Sequence, residues 1–481
     1  MKLSKSFHLG SSPSTPAYAP KVCYTSLMPT IAHGPIPADL TFSRTAHEER
    51  HLLETVEIPI VTVSATFKEE LEKEFGEKPE ETTPDVTFSR AHYSMANALV
   101  VAATKKKKTF WMIDPTNYVS AKDWPKIMFT QRMGRLIARN PILKELKDLM
   151  DTRLRNQLPL TGAIRQPLTY VTGRVTHPII SLHYEAGNIL LENGKTVLQV
   201  VTDPHVRPQY LTHADNPKLT WAVFDEPTKE RLIELGYILG HKIAESRVTV
   251  TGCPVDPRIT AKDRNHYIGR YSTAGRSRSA GRPLRLAITT GGLGTNKDEI
   301  ENLLTHLAPA IKKGEVHIAA YSGVHEDFQT MFTTFARVHH IKLGELNDPL
   351  SPFRVFHGND IVDANELLLD YVFPWADGFI TKPSGDMAYE AIAAGCFLLT
   401  LRPWGEWEEN IRAVTEGMGV SRRADIENIL SQLKAITTIP ISKNKPWVEL
   451  ALVRAQKHAK SMSQGAYNIL KLHRKLSTIH H

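Results

Sequence analysis

Continuous apolar segments alternate with amphipathic ones over most of the chain, a pattern that predicts a parallel sheet covered on both faces. From residue 170 onward the alternation is clear. We predict buried strands in TVLQVVTDP (196–204), WAVFDEP (221–227) and RVTVTGCPVDPR (247–258). HPIISLHYEAGNILLENG (177–194) and TKERLIELG (228–236) are predicted to be helices between them.

The pattern stops at residues 268–283, which are rich in Ser, Gly and Arg, and then starts again. The strand Leu284–Thr290 is predicted to run through a glycine turn into a helix that stops at Gly314. Further strand–helix units follow, with predicted strands in VHIAAYSG, FRVFHGND, FITKPSG and FLLTLRPWG. Two series of strand–helix units separated by a polar linker predict two domains.

The predicted fold class is therefore α/β, with two doubly wound Rossmann-like domains facing each other across a cleft. The predicted organisation has five parts. They are a flexible N-terminus (1–20), an N-terminal acceptor-side domain (21–254), a linker (255–283), a C-terminal ligand-binding domain (284–445) and C-terminal helices (446–481) that pack back on the N-terminal domain.

Composition narrows the class of protein. A chain of 481 residues is too long for a single domain with one ordinary hydrophobic core. Its content of 41% hydrophobic and 23% charged residues is typical of a soluble globular protein. Neither a membrane-spanning run nor the apolar core of a secretory signal is found, so we expect a cytoplasmic protein. Three widely spaced cysteines argue against a disulfide framework and against structural zinc.

The net charge of the chain is +8. Part of the basic excess lies in two runs, KKKK (105–108) and RYSTAGRSRSAGR (270–282). A modest basic excess attracts nucleic acid, phosphorylated substrates or an anionic membrane. Because no aromatic-basic motif accompanies the runs, we expect no nucleic-acid partner. Solvated loops are the simpler interpretation of both runs.

The first candidate site is the glycine turn AITTGGLGTNKDE (287–299). Gly291, Gly292 and Gly294 follow a strand, and Thr295 or Asn296 can cap the next helix. Freed backbone amides at such a turn suit a phosphate. The segment is neither a P-loop nor a complete dinucleotide fingerprint, and a simple tight turn explains it equally well.

The second candidate is TKPSGDMAYEAIAAG (381–395), where Ser384, Gly385 and Asp386 form a turn into a helix. The turn lies at the carboxyl end of a strand, where open α/β sheets bind ligands. Glu390, one turn further, could accept two hydrogen bonds from a ribose diol. A capped helix with a solvated glutamate is the alternative, and the charge of Asp386 opposes a pure phosphate site.

The third candidate is RPWGEWEENIR (402–412), predicted to be a loop that presents Glu406, Glu408, Glu409 and Asn410 beside two tryptophans. Such groups suit the hydroxyls and the apolar face of a sugar, although the tryptophans could instead pack between domains. All three candidates follow strands of one predicted sheet. We therefore expect them along one rim, forming one ligand site.

With these motifs in order, the C-terminal half resembles the donor-binding domain of GT-B glycosyltransferases. It is most similar to the family 28 type, which includes plant-type monogalactosyldiacylglycerol synthases and the bacterial N-acetylglucosaminyltransferase that forms lipid II. The resemblance covers roughly residues 195–415 and rests on TTGGLGTN, TKPSGDMAYEAIAAG and WGEWEEN in the family's order. VVTDPHVRPQYLTH (200–213) is similar to the family's T-D strand end followed by histidines.

The resemblance implies an inverting transfer from a nucleotide-sugar, most often UDP-linked, that uses no metal and no cofactor. The glycine turn and residues 384–386 would hold the diphosphate, Glu390 the ribose, and Glu406 with Asn410 the sugar. The acceptor is not identified by the sequence. Family analogy suggests a membrane lipid, with the protein attached at the inner face of the membrane.

Three departures from the family pattern bear on this expectation. Glu406 replaces the family's Gln, and Ser384 and Asp386 replace glycines of the turn. The family's GGxGGH-like acceptor loop is not found, and the nearest segment is LMPTIAHGPIP (27–37). A general base is needed, so His33 and then Asp203 are the candidates, although either residue could be purely structural.

Two other functions stay open at this point. One is a nucleotide-sugar 2-epimerase of the same architecture, which would convert the donor alone. The other is a glycosyltransferase-like protein that binds the nucleotide-sugar without catalysis, as the missing acceptor loop would allow.

Overall fold

The computed structural model describes residue 40 and residues 42–78, 85–139, 159–262, 271–272, 281–292, 294–440 and 444–479. The segment predicted to be flexible (1–20), the candidate base His33 and most of the predicted linker lie outside these residues.

The first half of the described chain forms one sheet of six parallel strands, in the order β2-β1-β3-β4-β5-β6. The strands are β1 (Ile58–Val61), β2 (Phe110–Ile113), β3 (Ile179–Ser181), β4 (Val197–Val200), β5 (Leu219–Val223) and β6 (Val248–Val250). The helices are α1 (Ser43–Thr55), α2 (Lys68–Phe75), α3 (Arg90–Lys105), α4 (Trp124–Arg139), α5 (Pro159–Thr172), α6 (Tyr184–Glu192) and α7 (Glu226–Ile238).

The second half of the described chain repeats this plan with the order β10-β9-β8-β11-β12-β13. A two-residue strand β7 (Tyr271–Ser272) pairs with β14 (Thr438–Ile439) outside the main sheets. The main strands are β8 (Leu284–Thr289), β9 (Val316–Gly323), β10 (Phe353–His357), β11 (Gly378–Thr381), β12 (Phe397–Thr400) and β13 (Ser421–Arg423). The helices are α8 (Lys297–Lys312), α9 (Glu326–Val338), α10 (Ile361–Leu367), α11 (Met387–Ala393), α12 (Glu406–Gly417), α13 (Ile429–Thr437), α14 (Trp447–Met462) and α15 (Gly465–Ile479).

The predicted fold class, two doubly wound α/β domains, is confirmed. Every residue of the inner strands β4, β11 and β12 is buried, as continuous apolar runs predict for parallel strands covered on both faces. Two local predictions are wrong. Residues 177–194 contain strand β3 before helix α6, because the short IIS run pairs with β1 and β4. Residues 406–417 form a helix where a loop was predicted.

The C-terminal helices contact the N-terminal half. Pro446 is the N-cap residue of α14, and α15 packs along α3. His473 Nε2 lies 2.7 Å from the carbonyl oxygen of Pro178, and Asn468 Nδ2 donates to the carbonyl of Thr251 at 2.9 Å. The exact domain boundaries remain predictions. Among the described helices, none is both long enough and apolar enough to cross a membrane.

Candidate functional site

The carboxyl ends of the two sheets meet at the turn that follows β11. A Cβ atom added to Gly385 would lie closer than 3.0 Å to the carboxylate of Asp203, which follows β4 in the other half of the molecule. Cys253 Sγ contacts the carbonyl oxygen of Gly385 at 3.6 Å. A side chain at 385 would therefore displace the Asp203 carboxylate and press on the carbonyl oxygen of Thr202, 3.0 Å from the added Cβ atom.

Arg90, the first residue of α3, crosses between the halves to three groups of the C-terminal half. Its Nη1 donates to Asp386 Oδ2 at 2.6 Å and to Glu390 Oε2 at 2.8 Å, and its Nη2 donates to Asn365 Oδ1 at 3.0 Å. The Arg90 side chain is 7% exposed, and those of Asp386 and Glu390 are 7% and 4% exposed. Water therefore screens these charges little, and the contact is strong. We call these three charged residues the Arg90 triad.

One guanidinium cannot neutralise two buried carboxylates, and the pKa values of the two acids shift in opposite directions. Burial opposes the ionisation of Asp386, but Arg90 and the Ser384 hydroxyl outweigh it and lower the pKa of Asp386. Burial raises the pKa of Glu390 to about 7, against the attraction of Arg90 and with repulsion from Asp386. Glu390 is thus the acid of the triad that takes up a proton near neutral pH.

A second ion pair lies beside the triad. Lys382 Nζ donates to Glu408 Oε1 at 2.5 Å, and the other oxygen of Glu408 accepts from the backbone of Trp404 at 2.7 Å. Both charged side chains are at most 10% exposed. A Cβ atom at Gly291 would collide with the Lys382 side chain, so the first glycine of the turn makes room for this cation.

The glycine turn itself carries polar atoms that the protein does not satisfy. Gly294 and Asn296 have positive φ angles of 60° and 65°, and the turn is closed by a bond from Gly294 N to Gly291 O. Within the described chain, the Thr290 and Thr295 hydroxyls and Asn296 Oδ1 are buried without a hydrogen-bond partner. Buried polar atoms in native proteins are nearly always paired, so each of these atoms calls for an explanation.

The third candidate segment, residues 402–412, was predicted to be a loop, but most of it is the first part of helix α12. Because residues 406–417 are helical, Glu406 and Asn410 are exposed on the outside, and Glu408 turns inward to Lys382. Asn410 Nδ2 lies 3.4 Å from the carbonyl oxygen of Pro204, at the mouth of the cleft. Arg207 stacks on the Trp407 ring at 5.0 Å from its centre, so this tryptophan does bridge the two halves.

Asp203 is the acidic group that the N-terminal half places at the cleft. It is partly exposed, whereas Asp386 and Glu390 are buried. Burial raises its pKa to about 6, Glu408 and Asp386 add to this rise, and Arg207 and Lys382 oppose it. A carboxylate with this pKa is ionised at neutral pH and is more basic than an ordinary aspartate, which suits proton transfer.

Two histidines at the cleft were not predicted from the sequence. His92 Nδ1 lies 3.2 Å from Val63 O, which can only accept, so Nε2 is unprotonated and accepts from the Thr202 hydroxyl at 3.1 Å. The His183 ring packs edge-on at 5.2 Å. Burial lowers the pKa of His92 to about 4 and holds that of His183 well below its usual value. Both imidazoles are neutral at pH 7.

Gly291→Ala tests the geometry of the turn. The new methyl group would meet Lys382 and displace its ammonium from Glu408, so we expect a loss of about 1–3 kcal/mol in the free energy of unfolding. Urea denaturation measures this change. Gly417→Ala is the matched control, since a Cβ atom there meets nothing within 4 Å. Equal stability of the two variants would contradict the described packing.

No family model and no curated protein matches this sequence. Solved structures align over most of the chain. A glycosyltransferase of kitacinnamycin is 14% identical (TM-score 0.44) and covers 87% of this chain and 98% of its own. MnaA of S. aureus in complex with UDP is 11% identical (TM-score 0.47), and the match covers 88% of this chain and 98% of MnaA. MurG of Acinetobacter baumannii is 13% identical (TM-score 0.42), and the match covers 87% of this chain and 99% of MurG. Likeness at this level establishes neither a family nor an activity for the chain.

Proposed function

We propose that the protein is a glycosyltransferase that moves a sugar from a nucleotide-sugar, UDP-linked, to an acceptor hydroxyl with inversion and without a metal. The observation that carries this proposal is the pair of buried, unpaired hydroxyls at the glycine turn, Thr290 Oγ1 and Thr295 Oγ1.

An unpaired buried hydroxyl costs about 1–3 kcal/mol, so a fold that retains two such hydroxyls at one turn has a reason to do so. A phosphate supplies the acceptors that both hydroxyls lack, and a glycine turn brings backbone amides close to it. Lys382 lies against Gly291, so its ammonium, paired with Glu408, is next to the same turn. Together these groups favour a diphosphate bound at the turn.

Glu390 is proposed to bind the ribose, and this binding requires a change in the Arg90 triad. In the structure its Oε2 is held by Arg90. A ribose diol that takes both carboxylate oxygens must therefore displace the guanidinium, which can then turn to the negatively charged diphosphate. Donor binding and rearrangement of Arg90 are expected to occur together.

Asp203 is the proposed general base. The acceptor oxygen attacks the anomeric carbon and forms the new glycosidic bond, while its proton passes to the Asp203 carboxylate. The bond from the anomeric carbon to the diphosphate oxygen breaks, and UDP leaves with that electron pair. Glu406 and Asn410, both exposed on α12, are proposed to hold the sugar. The acceptor class proposed from the resemblance is a membrane lipid.

Calorimetry with UDP tests the proposal. Wild-type protein is expected to bind UDP, and Glu390→Ala is expected to weaken binding by about tenfold or more, since a bond to a charged group contributes roughly 1.5–3 kcal/mol. Glu301→Ala, an exposed glutamate on α8, is the matched control and should bind as the wild type does.

The outcomes separate the alternatives. No binding of UDP or of any nucleotide-sugar contradicts the proposal. Conversion of the donor to its epimer without an acceptor identifies a 2-epimerase. Binding without transfer or hydrolysis, over a broad set of acceptors, identifies a binding protein without catalysis.

A further inference from the structure

The proposed donor site holds Glu390 against the guanidinium of Arg90. Glu390 is 3% exposed, and its Oε2 accepts from Arg90 Nη1 at 2.8 Å. The same nitrogen donates to Asp386 Oδ2 at 2.6 Å. Two buried carboxylates therefore share one nitrogen of one guanidinium, and a ligand that draws Arg90 away leaves both without it.

The titratable groups that face Glu390 from the surrounding elements add negative charge or none. Asp386 in the preceding turn and Asp256 after β6 both raise the pKa of Glu390. Tyr321 on β9 and Cys253 after β6 are buried, and burial raises the pKa of each, so both are neutral at pH 7. None of these four groups can replace Arg90 as a counter-charge.

Two further cations near the site are already bonded to other acids. Arg258 donates to Asp256 at 2.9 Å and to Glu366 at 2.7 and 2.9 Å. Lys382 donates to Glu408 at 2.5 Å. The buried residues of α14, the helix packed on α11, are apolar apart from one glutamate with its own lysine partner. Glu390 therefore depends on Arg90 for its counter-charge.

The ion pairs of the site contain more carboxylates than cations. The Arg90 triad and the Lys382–Glu408 pair hold three carboxylates and two cations. Asp203 and Arg207 at the cleft add one charge of each sign and leave this difference unchanged. The diphosphate of a donor brings further negative charge, so positive charge has to enter the site with it.

Glu390 is the acid best placed to take up a proton. Burial raises its pKa to about 7 even with Arg90 bound, whereas Arg90 and the Ser384 hydroxyl lower that of Asp386. Transfer of the guanidinium to the diphosphate removes a cation that favours the charged form, and the diphosphate adds repulsion. Ribose hydroxyls also favour the carboxylate, but bonds from neutral donors are about half as strong as those from a guanidinium. The balance therefore favours the protonated acid.

We propose that donor binding brings a proton into the site, and that Glu390 holds this proton and binds the ribose as a carboxylic acid. The proton comes from solvent and adds to one carboxylate oxygen. The resulting O–H donates to one ribose hydroxyl, and the carbonyl oxygen accepts from the other. This inference rests on the proposed function, because it requires a nucleoside diphosphate at the glycine turn.

UDP binding should therefore weaken as pH rises. Above pH 7 the free protein has lost the proton of Glu390 and has to regain it on binding. For an uptake of about 0.5–0.9 proton, linkage predicts that Kd rises about three- to eightfold between pH 7.5 and pH 8.5. The terminal phosphate of UDP, with a pKa of about 6, is ionised over this range and does not cause the effect.

Calorimetry of UDP binding at pH 8, in Tris and in HEPES with EDTA present, measures the proton directly. The two buffers release protons with different enthalpies, so the difference between the observed binding enthalpies gives the number of protons taken up. The full-length wild type is expected to take up about 0.5–0.9 proton per UDP. Glu390→Gln keeps the side-chain size but cannot titrate, so its uptake should fall below about 0.2 proton.

Two variants test the assignment to Glu390. Glu301→Gln replaces an exposed glutamate on α8 and should keep the full uptake. Asp203→Asn should keep it as well, because Asp203 is not the group that loses its cation. Loss of uptake in Asp203→Asn, or full uptake in Glu390→Gln, would overturn the assignment.

Difference infrared spectroscopy of the wild type gives a readout that does not depend on a variant binding UDP. Addition of UDP at pH 8 is expected to produce the carbonyl band of a protonated carboxyl group at the expense of a carboxylate band. UDP binding without this band and without proton uptake overturns the inference but leaves the proposed function in place. Absence of UDP binding contradicts both.

Discussion

Arg90→Met is expected to lower the free energy of unfolding by about 3–5 kcal/mol, which is the usual cost of removing one partner from a buried ion pair. The substitution keeps most of the side-chain volume but leaves Asp386 and Glu390 facing each other without a cation. Both carboxylates are buried, so water cannot take over the role of Arg90. Urea denaturation of the variant and the wild type measures the difference.

The loss should depend on pH in a defined direction. Without Arg90, both acids have folded-state pKa values raised above their unfolded values, and such groups destabilise the protein as pH rises. The deficit should be largest near pH 8 and should shrink as pH falls through 4 and below, where both acids take up protons in the unfolded state as well. In the wild type, the raised pKa of Glu390, about 7, likewise predicts stability lost between pH 4.5 and 7.

Two further variants control this result. Arg165→Met breaks an exposed ion pair with Glu192, whose side chains are 47% and 39% exposed, and should cost less than about 1 kcal/mol. The double variant Arg90→Met with Glu390→Gln should recover part of the loss, because one buried charge is gone. A deficit in Arg90→Met that does not change with pH would contradict the electrostatic explanation.

Asp203→Asn is expected to reduce the rate of sugar transfer, or of donor hydrolysis to UDP, by about 10²–10⁴-fold. Asparagine keeps the size of the side chain but cannot accept the acceptor's proton. UDP affinity should stay within a few-fold of the wild type, because the proposed nucleotide contacts come from the other half of the molecule.

The pH dependence of the wild-type rate provides a second readout. The base must be ionised to accept a proton, so the rate should rise with pH through about 6, the pKa of Asp203, and this limb should vanish in the variant. Asp215→Asn, an exposed aspartate of the same half, is the control. If the rate of Asp203→Asn stays within twofold of the wild type, Asp203 is not the general base. His92, through its Nε2 atom, would then be the next residue to replace.

The strands and the turns between them could be predicted from the sequence because each depends on local pattern. An apolar run predicted β8 to within a residue, and the glycines between Thr290 and Thr295 predicted the turn. These features need no knowledge of distant residues. The turn at Ser384–Asp386 could be predicted for the same reason.

What could not be predicted depends on contacts distant in sequence or on helical phase. Arg90 and Asp386 are 296 residues apart, and nothing in the local pattern links them. Asp386 looked unsuited to an anion site, and its charge is explained by Arg90. Glu406 was chosen over Glu408 because it takes the place of the family's Gln, and the inward position of Glu408 follows only from a helix that starts at Glu406. His92 was hidden within the helical periodicity of α3.

A crystal structure of the protein with UDP bound tests the central claim most directly. We predict the diphosphate against Thr290, Thr295 and the backbone of Gly291–Gly294, the ribose on Glu390, and Arg90 released from that carboxylate. UDP bound away from this turn, with the Arg90 triad unchanged, would contradict the account.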